Sequence, residues 1–537
     1  MVKYPKLSSP IVLSAVLTVA TVLVYANSIN NGFVWDDSSI ILNNPANKDM
    51  SALTGLFLAP DTTYSDEQTP YYRPLNRLTY MLDYQLYGLN PLGYHMENLI
   101  LHVVVVLLLF MLVNKLFLNS AVAFIAAFIF ALHPINSEAV NFISGGRNTI
   151  LAAAFALASF IVFTKGTGER KIGYAYLSGL LFFLSLLCKE SAAFLPLILL
   201  LYGFKSDGSS GKNMKQKLLF GLPFLLFSAL YIFMRAQALS NAIGTSLDPG
   251  GLWSRISKNF YIIPKYLYMF VYPSGLSIYY PPPGDLFHQN IWPVLGWSVV
   301  LPSLFWLSRK NNERAFFGIV WFAINFILIA NIVPIPSAPM AERYIYLPVM
   351  GLCVIAGELL YRSYLNSKIV LRMSLVATAT VLFLTMAFTT ARRNSDWRDD
   401  LSLFGSVVRS QPDSAFGHYN LGCAFKDRGD LISAKREWER TLDIDPNNSQ
   451  ALNQLGNVYY ISDFPVKARD YFIKAVQMNP GNSEAQYNLA ITLEKLNEPG
   501  EALAHYEMFL KKVPPEYNGV VPEVEKRIDA LSHRGNS

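Results

Sequence analysis

Charge is what this sequence has least of. Only 15% of its 537 residues are Asp, Glu, Lys or Arg, where a soluble domain carries about a quarter. That scarcity argues against an ordinary soluble protein. The net charge of +6 is modest, and no basic stripe with interleaved aromatics occurs, so nucleic acid is not an expected partner. Cysteine is equally sparse. Cys188, Cys353 and Cys423 are far apart and odd in number, which gives neither a disulfide framework nor a zinc spacing. A small-x-small cleavage site is also missing before Asn27-Ser28. The first apolar segment, Ile11 to Ala26, therefore reads as a retained span and not as a cleaved signal.

What the chain has in quantity is apolar sequence: 52% hydrophobic residues and a mean hydropathy of +0.28. Runs such as Leu99 to Val113, Ile150 to Phe163, Leu218 to Met234 and Leu371 to Phe388 approach or exceed the ~18 residues that cross a bilayer. The expected fold is all-α: a polytopic membrane bundle over residues 1–393, then a polar part over 394–537. Lys3 and Lys6 ahead of the first span put the N-terminus in the cytoplasm. The basic loops with Lys205, Lys212, Lys215 and Lys217, and with Arg309, Lys310 and Arg314, fall on the same side if Asn259 to Tyr272 is re-entrant or interfacial. Ile291 to Leu307 then crosses. About eleven spans result, with the C-terminal part outside.

That part carries a repeat. Prolines stand at Pro412, Pro446, Pro480 and Pro514, each 34 residues from the last. In the same register lie Leu421, Leu455 and Leu489, then Ala434, Ala468 and Ala502, then Trp438, Phe472 and Tyr506. A period of 34 with small residues and an aromatic in fixed columns is the tetratricopeptide pattern. Each unit is a helical hairpin that buries its apolar face only by stacking, and such stacks bind protein segments.

The polar groups that packing explains least are placed on the outer face by this topology. They include Asp36 and Asp37 in Asn31-Gly32-Phe33-Val34-Trp35-Asp36-Asp37, just beyond the first span, with Tyr72, Arg73, His133, Glu138, Arg147, Lys189, Glu190, Glu342 and Arg343. Ionisable groups held at a membrane edge point to function. Paired acids among guanidinium and ammonium groups are suited to gripping an anionic, lipid-linked substrate while a carboxylate takes the proton of an attacking hydroxyl. Plainer readings stand beside this one. Asp36 and Asp37 can cap a turn, His133 can end a helix, and Glu138 can pair with Arg147. Glu342 can pair with Arg343 or Lys189, and His95 and His102 can pack between helices. Tyr279-Tyr280 in its proline run can be a stiff loop.

The order of these motifs resembles the transmembrane and tetratricopeptide-repeat-containing O-mannosyltransferases, within the GT-C class of polyprenyl-phosphate-sugar-dependent glycosyltransferases. The matching pieces are Gly32-Phe33-Val34-Trp35-Asp36-Asp37, Tyr72-Arg73-Pro74-Leu75, Tyr94-His95, His133-Pro134 with Glu138, Gly146-Arg147, Lys189-Glu190, Glu342-Arg343-Tyr344 and Trp397-Arg398. The resemblance implies transfer of mannose or another hexose from a polyprenyl-phosphate donor to Ser or Thr of a protein on the non-cytoplasmic face. The acceptor would dock on the repeats. It implies that Asp36 or Asp37 is the base, with a slight preference for Asp37. Arg73, Arg147, Lys189 and Arg343 would hold the donor phosphate, and Tyr72, His133, Glu138, Glu190 and Glu342 would line the donor site. A magnesium or manganese ion at Asp36 and Asp37 is left open. The compact repeat array suggests a bacterial inner membrane with periplasmic repeats, or an ER membrane with lumenal ones. Two rival readings remain: a non-enzymatic scaffold with peptide-binding repeats, and a flippase for lipid-linked sugars.

Overall fold

The structure, a computed structural model, describes residues 9–59, 71–202, 214–239, 251–281, 312–330, 340–513 and 515–534. Among them the chain is helical, with no strand. The expected span Ile291 to Leu307 and the loop residues Lys205, Lys212, Arg309 and Lys310 lie outside the described residues. The chain forms two compact units, one within Met1–Arg398 and one built on Asp399–Ser537.

The first unit is a multi-pass membrane bundle. Among the described residues five helices are long and apolar enough to cross a bilayer: Pro10–Asn30, Pro91–Phe117, Ile143–Glu169, Lys217–Leu239 and Ile369–Asp396. Ser120–Leu132 and Pro134–Asn141 form a further pair, bent by 58°. Proline at the first position starts Pro10–Tyr25, Pro74–Tyr87 and Pro91–Phe117, where its missing N–H costs nothing. Asn90 and Asn119 cap the helices that follow them by accepting from Leu92 N (3.2 Å) and Val122 N (3.1 Å).

Lipid gives helices little hydrophobic reason to associate, so small residues and close packing do it. Gly318 of Glu313–Phe326 faces Gly351 of Val349–Asn366 so closely that a Cβ on either would strike the other's carbonyl. Ser120–Leu132 presents Ala126 and the Val122 carbonyl to the same Val349–Asn366 helix, where Gly357 lets the backbones meet. His102 packs in this core as the plainer reading expects. It bonds the Tyr346 hydroxyl (2.7 Å) and lies against the Tyr25 and Phe130 rings. In contrast, Leu371, Met373, Leu382, Leu384 and Phe388 of the last long helix are exposed, as a lipid-facing surface would be.

The second unit keeps the 34-residue register. Hairpins Ala415–Asp427 with Leu431–Ile444, Ser449–Ile461 with Pro465–Met478, and Ser483–Lys495 with Pro499–Leu510 repeat in order. Ser414, Asn448 and Asn482 cap the first helix of each, at corresponding positions. The column aromatics Trp438, Phe472 and Tyr506 are buried. Trp438 and Phe472 lie over Gly422 and Gly456, where a Cβ would come within 2.5 Å of the ring.

Candidate active site

The site grows from the end of the first helix. After Tyr25 the chain runs through a short 3-10 turn into Asn31–Asp37. Buried asparagines hold this loop. Asn31 Nδ2 donates to Asn141 Oδ1 and to the Asn394 carbonyl, both at 3.0 Å. Asn141 donates to Asn394 Oδ1 (2.8 Å), and Asn394 donates to the Val24 carbonyl and Asn27 Oδ1 (3.0 Å each). The Gly32 N–H adds a bond to the Arg398 carbonyl (2.9 Å). Loop, bent helix pair and last long helix are thereby tied at one end of the bundle.

Within this frame Trp35 has φ of +51°. A bulky side chain in the left-handed region is strained, and such strain persists where the surroundings enforce it. The enforcement here is stacking. The Trp35 ring lies on Phe142 at 5.3 Å, and Phe142 lies on Trp397 at 5.6 Å. Gly145 and Gly146 make room for this. A Cβ on Gly145 would enter the Phe142 ring, and one on Gly146 the Ala139 carbonyl.

The two acids have different surroundings. Asp37 is fully buried. Its Oδ1 accepts from Ser144 N (2.8 Å) and its Oδ2 from Val34 N (3.2 Å). Ser144 opens the Ile143–Glu169 helix, so Asp37 satisfies an N-terminal N–H that the helix leaves unpaired. Burial pushes its carboxyl up to about 7, against those two donors. Asp36 is half-buried, and its carboxylate accepts no hydrogen bond among the described residues. Burial raises its carboxyl and the Arg343 guanidinium opposes the rise.

Arg343 ion-pairs with Glu138, whose other oxygen accepts the Arg343 N–H (3.0 Å). Glu138 thus pairs with Arg343 and not with Arg147. Next in chain, Glu342 accepts from the Tyr280 hydroxyl (2.8 Å) and lies 3.6 Å from Arg393. Burial raises the Glu342 carboxyl above its usual range. Lys189 Nζ donates to Thr149 Oγ1 (2.5 Å) and lies 5.3 Å from the Tyr344 ring centre; the Arg343 guanidinium is 5.0 Å from the same ring. Burial lowers the Lys189 ammonium, with Arg73 and Arg343 adding to the effect. Glu190 is shared by Arg73 (3.4 Å) and Arg235. Buried Tyr72 donates to the Phe57 carbonyl (2.9 Å) and lies beside Tyr231.

Two expected donor ligands are engaged elsewhere. Arg147 is wholly buried and ion-paired to Asp83. It also reaches Glu97 (3.2 Å), Asn98 Oδ1 (2.7 Å) and the Tyr94 carbonyl (2.7 Å). All three guanidinium nitrogens donate inside the protein, and the side chain is closed to solvent. His133 accepts from Ile135 N (3.2 Å) through Nδ1 and bonds the Phe270 carbonyl (2.8 Å) through Nε2, with its ring stacked on Phe270. It ends the Ser120–Leu132 helix, the plainer reading's place for it, and caps the turn that follows. Sequence reasoning missed Arg235, Arg393 and the asparagine cluster. Arg235 ends an apolar run and was legible only as a topology marker.

A divalent ion at the paired acids fits poorly. Asp37 is fully enclosed, with both oxygens turned onto main-chain N–H groups, so an ion arriving from outside would meet Asp36 first and it wants several oxygens. Among the described residues no three His, Cys, Asp or Glu side chains gather as a ligand set.

This arrangement defines a polytopic membrane protein with a charged site at one end of its bundle and a repeat unit after it. Residues 471–504 match the tetratricopeptide repeat model. The chain is 28% identical over 457 residues to protein O-mannosyl-transferase F38B6.6 of Caenorhabditis elegans, covering 81% of this chain and 63% of that one. It is 26% identical over 532 residues to protein O-mannosyl-transferase TMTC3 of Mus musculus, with 92% and 54% covered. For human protein O-mannosyl-transferase TMTC1 the identity is 27% over 505 residues, with 83% and 56% covered. Homologues of this chain are thus the transmembrane and tetratricopeptide-repeat O-mannosyltransferases, and the chain spans less than two thirds of the length of these relatives. A crystal structure of ArnT from Cupriavidus metallidurans bound to undecaprenyl phosphate aligns with a TM-score of 0.40 at 14% identity, covering 88% of this chain and 80% of that one.

Proposed function

We propose that the chain is a membrane glycosyltransferase of the GT-C class. It moves mannose, or another hexose, from a polyprenyl-phosphate donor to a Ser or Thr hydroxyl of a protein on the non-cytoplasmic face. The repeats dock that acceptor. The observation that carries this reading is the pairing of one carboxylate, Asp36, which accepts no hydrogen bond among the described residues, with a cluster of basic groups. Arg73, Lys189, Arg235 and Arg343 stand among Asp36, Glu138 and Glu190. Lys189 donates to a hydroxyl, Thr149 Oγ1, and a phosphodiester bound there would supply the charge that holds its ammonium protonated.

Asp36 is the base in this scheme, in preference to Asp37. A base needs a lone pair that can reach a substrate proton, and Asp37 is fully enclosed with both oxygens turned onto main-chain N–H groups. The acceptor hydroxyl attacks the anomeric carbon and its proton passes to Asp36. The bond from that carbon to the phosphate oxygen breaks, and the phosphate leaves with a second negative charge. Because Asp36 is neutralised in the same step, the pocket becomes more positive as the leaving group becomes more negative. Stabilisation then rises along the reaction coordinate, which is what accelerates a reaction. A single displacement inverts the anomeric centre. The homologues' names favour mannose and a protein acceptor. The test is transfer from polyprenyl-phosphate mannose to a Ser/Thr-containing acceptor by the purified chain in nanodiscs. No transfer to any acceptor, with the donor shown to bind, would defeat it.

A further inference from the structure

One stack of rings carries an energetic cost at each end. At one end Trp35 keeps its left-handed backbone, φ +51°, which a bulky residue leaves unless its surroundings hold it there. At the other end the Trp397 indole is fully buried, and its Nε1–H has no acceptor among the described residues. An unpaired buried donor is unfavourable, and a phenylalanine would fill the place with no donor to bury. Between the two lies Phe142. Its ring centre is 5.3 Å from that of Trp35 and 5.6 Å from that of Trp397, with interplanar angles of 17° and 26°.

Phe142 is the fixed member. It joins Ser137–Asn141 to Ile143–Glu169; its N–H donates to the Glu138 carbonyl (3.0 Å) and its carbonyl accepts from Gly146 N (2.8 Å). The Arg343 guanidinium lies 5.5 Å from the Phe142 ring centre and ion-pairs with Glu138, one turn earlier. One ring therefore meets both the tryptophan that precedes Asp36 and the guanidinium that acts on the Asp36 carboxylate. The charged groups around that carboxylate are Arg343, with its partner Glu138, and Asp37 next in the chain.

We propose that Trp397 is a positioning residue for the base: by stacking on Phe142 it holds Trp35 in its turn, and so fixes how closely Asp36 approaches Arg343. The inference rests on Asp36 as the base of the transfer proposed above.

The full-length chain in nanodiscs is assayed for transfer and, independently of activity, by fluorine NMR after labelling with fluorotryptophan. The Trp35 signal is identified by its loss in Trp35→Phe. Trp397→Leu should shift that signal and lower kcat about 10²-fold at an unchanged donor KM, as a small misplacement of a reacting group does. Phe142→Leu breaks the stack from the middle and should do the same. Trp397→Phe keeps a flat ring on Phe142 and should retain the Trp35 signal and most of the activity. Arg343→Gln should move the acidic limb of the kcat/KM–pH profile upward in the wild type and less in Trp397→Leu, where the two groups have already parted. Phe182→Leu removes a buried ring that packs on Phe224 and serves as control. It should lower the melting temperature and leave kcat, the Trp35 signal and the acidic limb unchanged. An unmoved Trp35 signal in folded Trp397→Leu or Phe142→Leu overturns the positioning role. So does a Trp397→Phe variant as inactive as Trp397→Leu, or an Arg343→Gln shift of full size in the Trp397→Leu background. If the wild type transfers no sugar while the Trp35 signal responds as expected, the transferase reading falls, and the base with it, while the ring contact stands.

Discussion

Asp36→Asn and Asp37→Asn should separate chemistry from architecture. Asp36 accepts no hydrogen bond among the described residues, so its amide is nearly isosteric and orphans nothing. Folding should be preserved within about 0.5 kcal/mol, as for most partly exposed substitutions. Activity should not be: general-base assistance is worth about 10²- to 10⁴-fold, or roughly 3–5 kcal/mol of barrier. Asp37→Asn behaves differently. The new amide has one oxygen for two inward N–H groups, Ser144 N and Val34 N, and turns its own NH₂ towards the other. One buried donor is left unmet at a cost of about 1–3 kcal/mol. The variant should melt earlier and lose transfer in proportion to misfolded protein. The assay is steady-state transfer from polyprenyl-phosphate mannose to a peptide acceptor, alongside a thermal melt of the same nanodiscs. Asp36→Asn with more than about a tenth of wild-type kcat/KM would refute the assignment. So would an Asp37→Asn variant that is stable yet inert.

Other consequences can be checked in the same system. Because Arg343 opposes the rise of the Asp36 carboxyl, Arg343→Gln should move the acidic limb of the kcat/KM–pH profile upward; an unmoved limb would separate Arg343 from the base. A base that must be ionised gives activity that falls on acidification, and burial places that fall above the ordinary carboxylate range. Arg147→Gln breaks a buried pair with Asp83 and should destabilise the chain by about 3–5 kcal/mol, leaving the donor KM of any folded fraction unchanged. Gly456→Ala drives a methyl into the Phe472 ring and should cost the repeat unit about 1–3 kcal/mol by thermal melt.

How far the sequence could be read depends on the range of the interaction. The repeats were legible because their determinants recur in register: caps at Ser414, Asn448 and Asn482 sit where the proline period puts a helix start. The helices were legible from apolar run length, and the acids at 36 and 37 from their position beyond the first run. What could not be read was which polar groups meet. Asp37 is spent on Ser144, 107 residues away, and Arg147 on Asp83, 64 residues away. In sequence Arg147 and Arg73 look alike, each a cation beside small or kinking residues. Only packing shows one enclosed by carboxylates and carbonyls and the other partly open. Arg393 and Arg235 were hidden for another reason. An arginine that ends an apolar run reads as a surface anchor reaching the headgroups, so its presence carries no extra signal.

The asparagine cluster has a consequence for biogenesis. Asn31 and Gly32 take their shape from Asn394 and Arg398, which the ribosome makes more than 360 residues later. A nascent polypeptide halted anywhere before the final membrane helix therefore lacks the clamp that sets the Trp35–Asp36 turn. The geometry of that turn is complete only when the last hydrophobic segment has been threaded and docked, so partial translation products lack it however much of the bundle they contain.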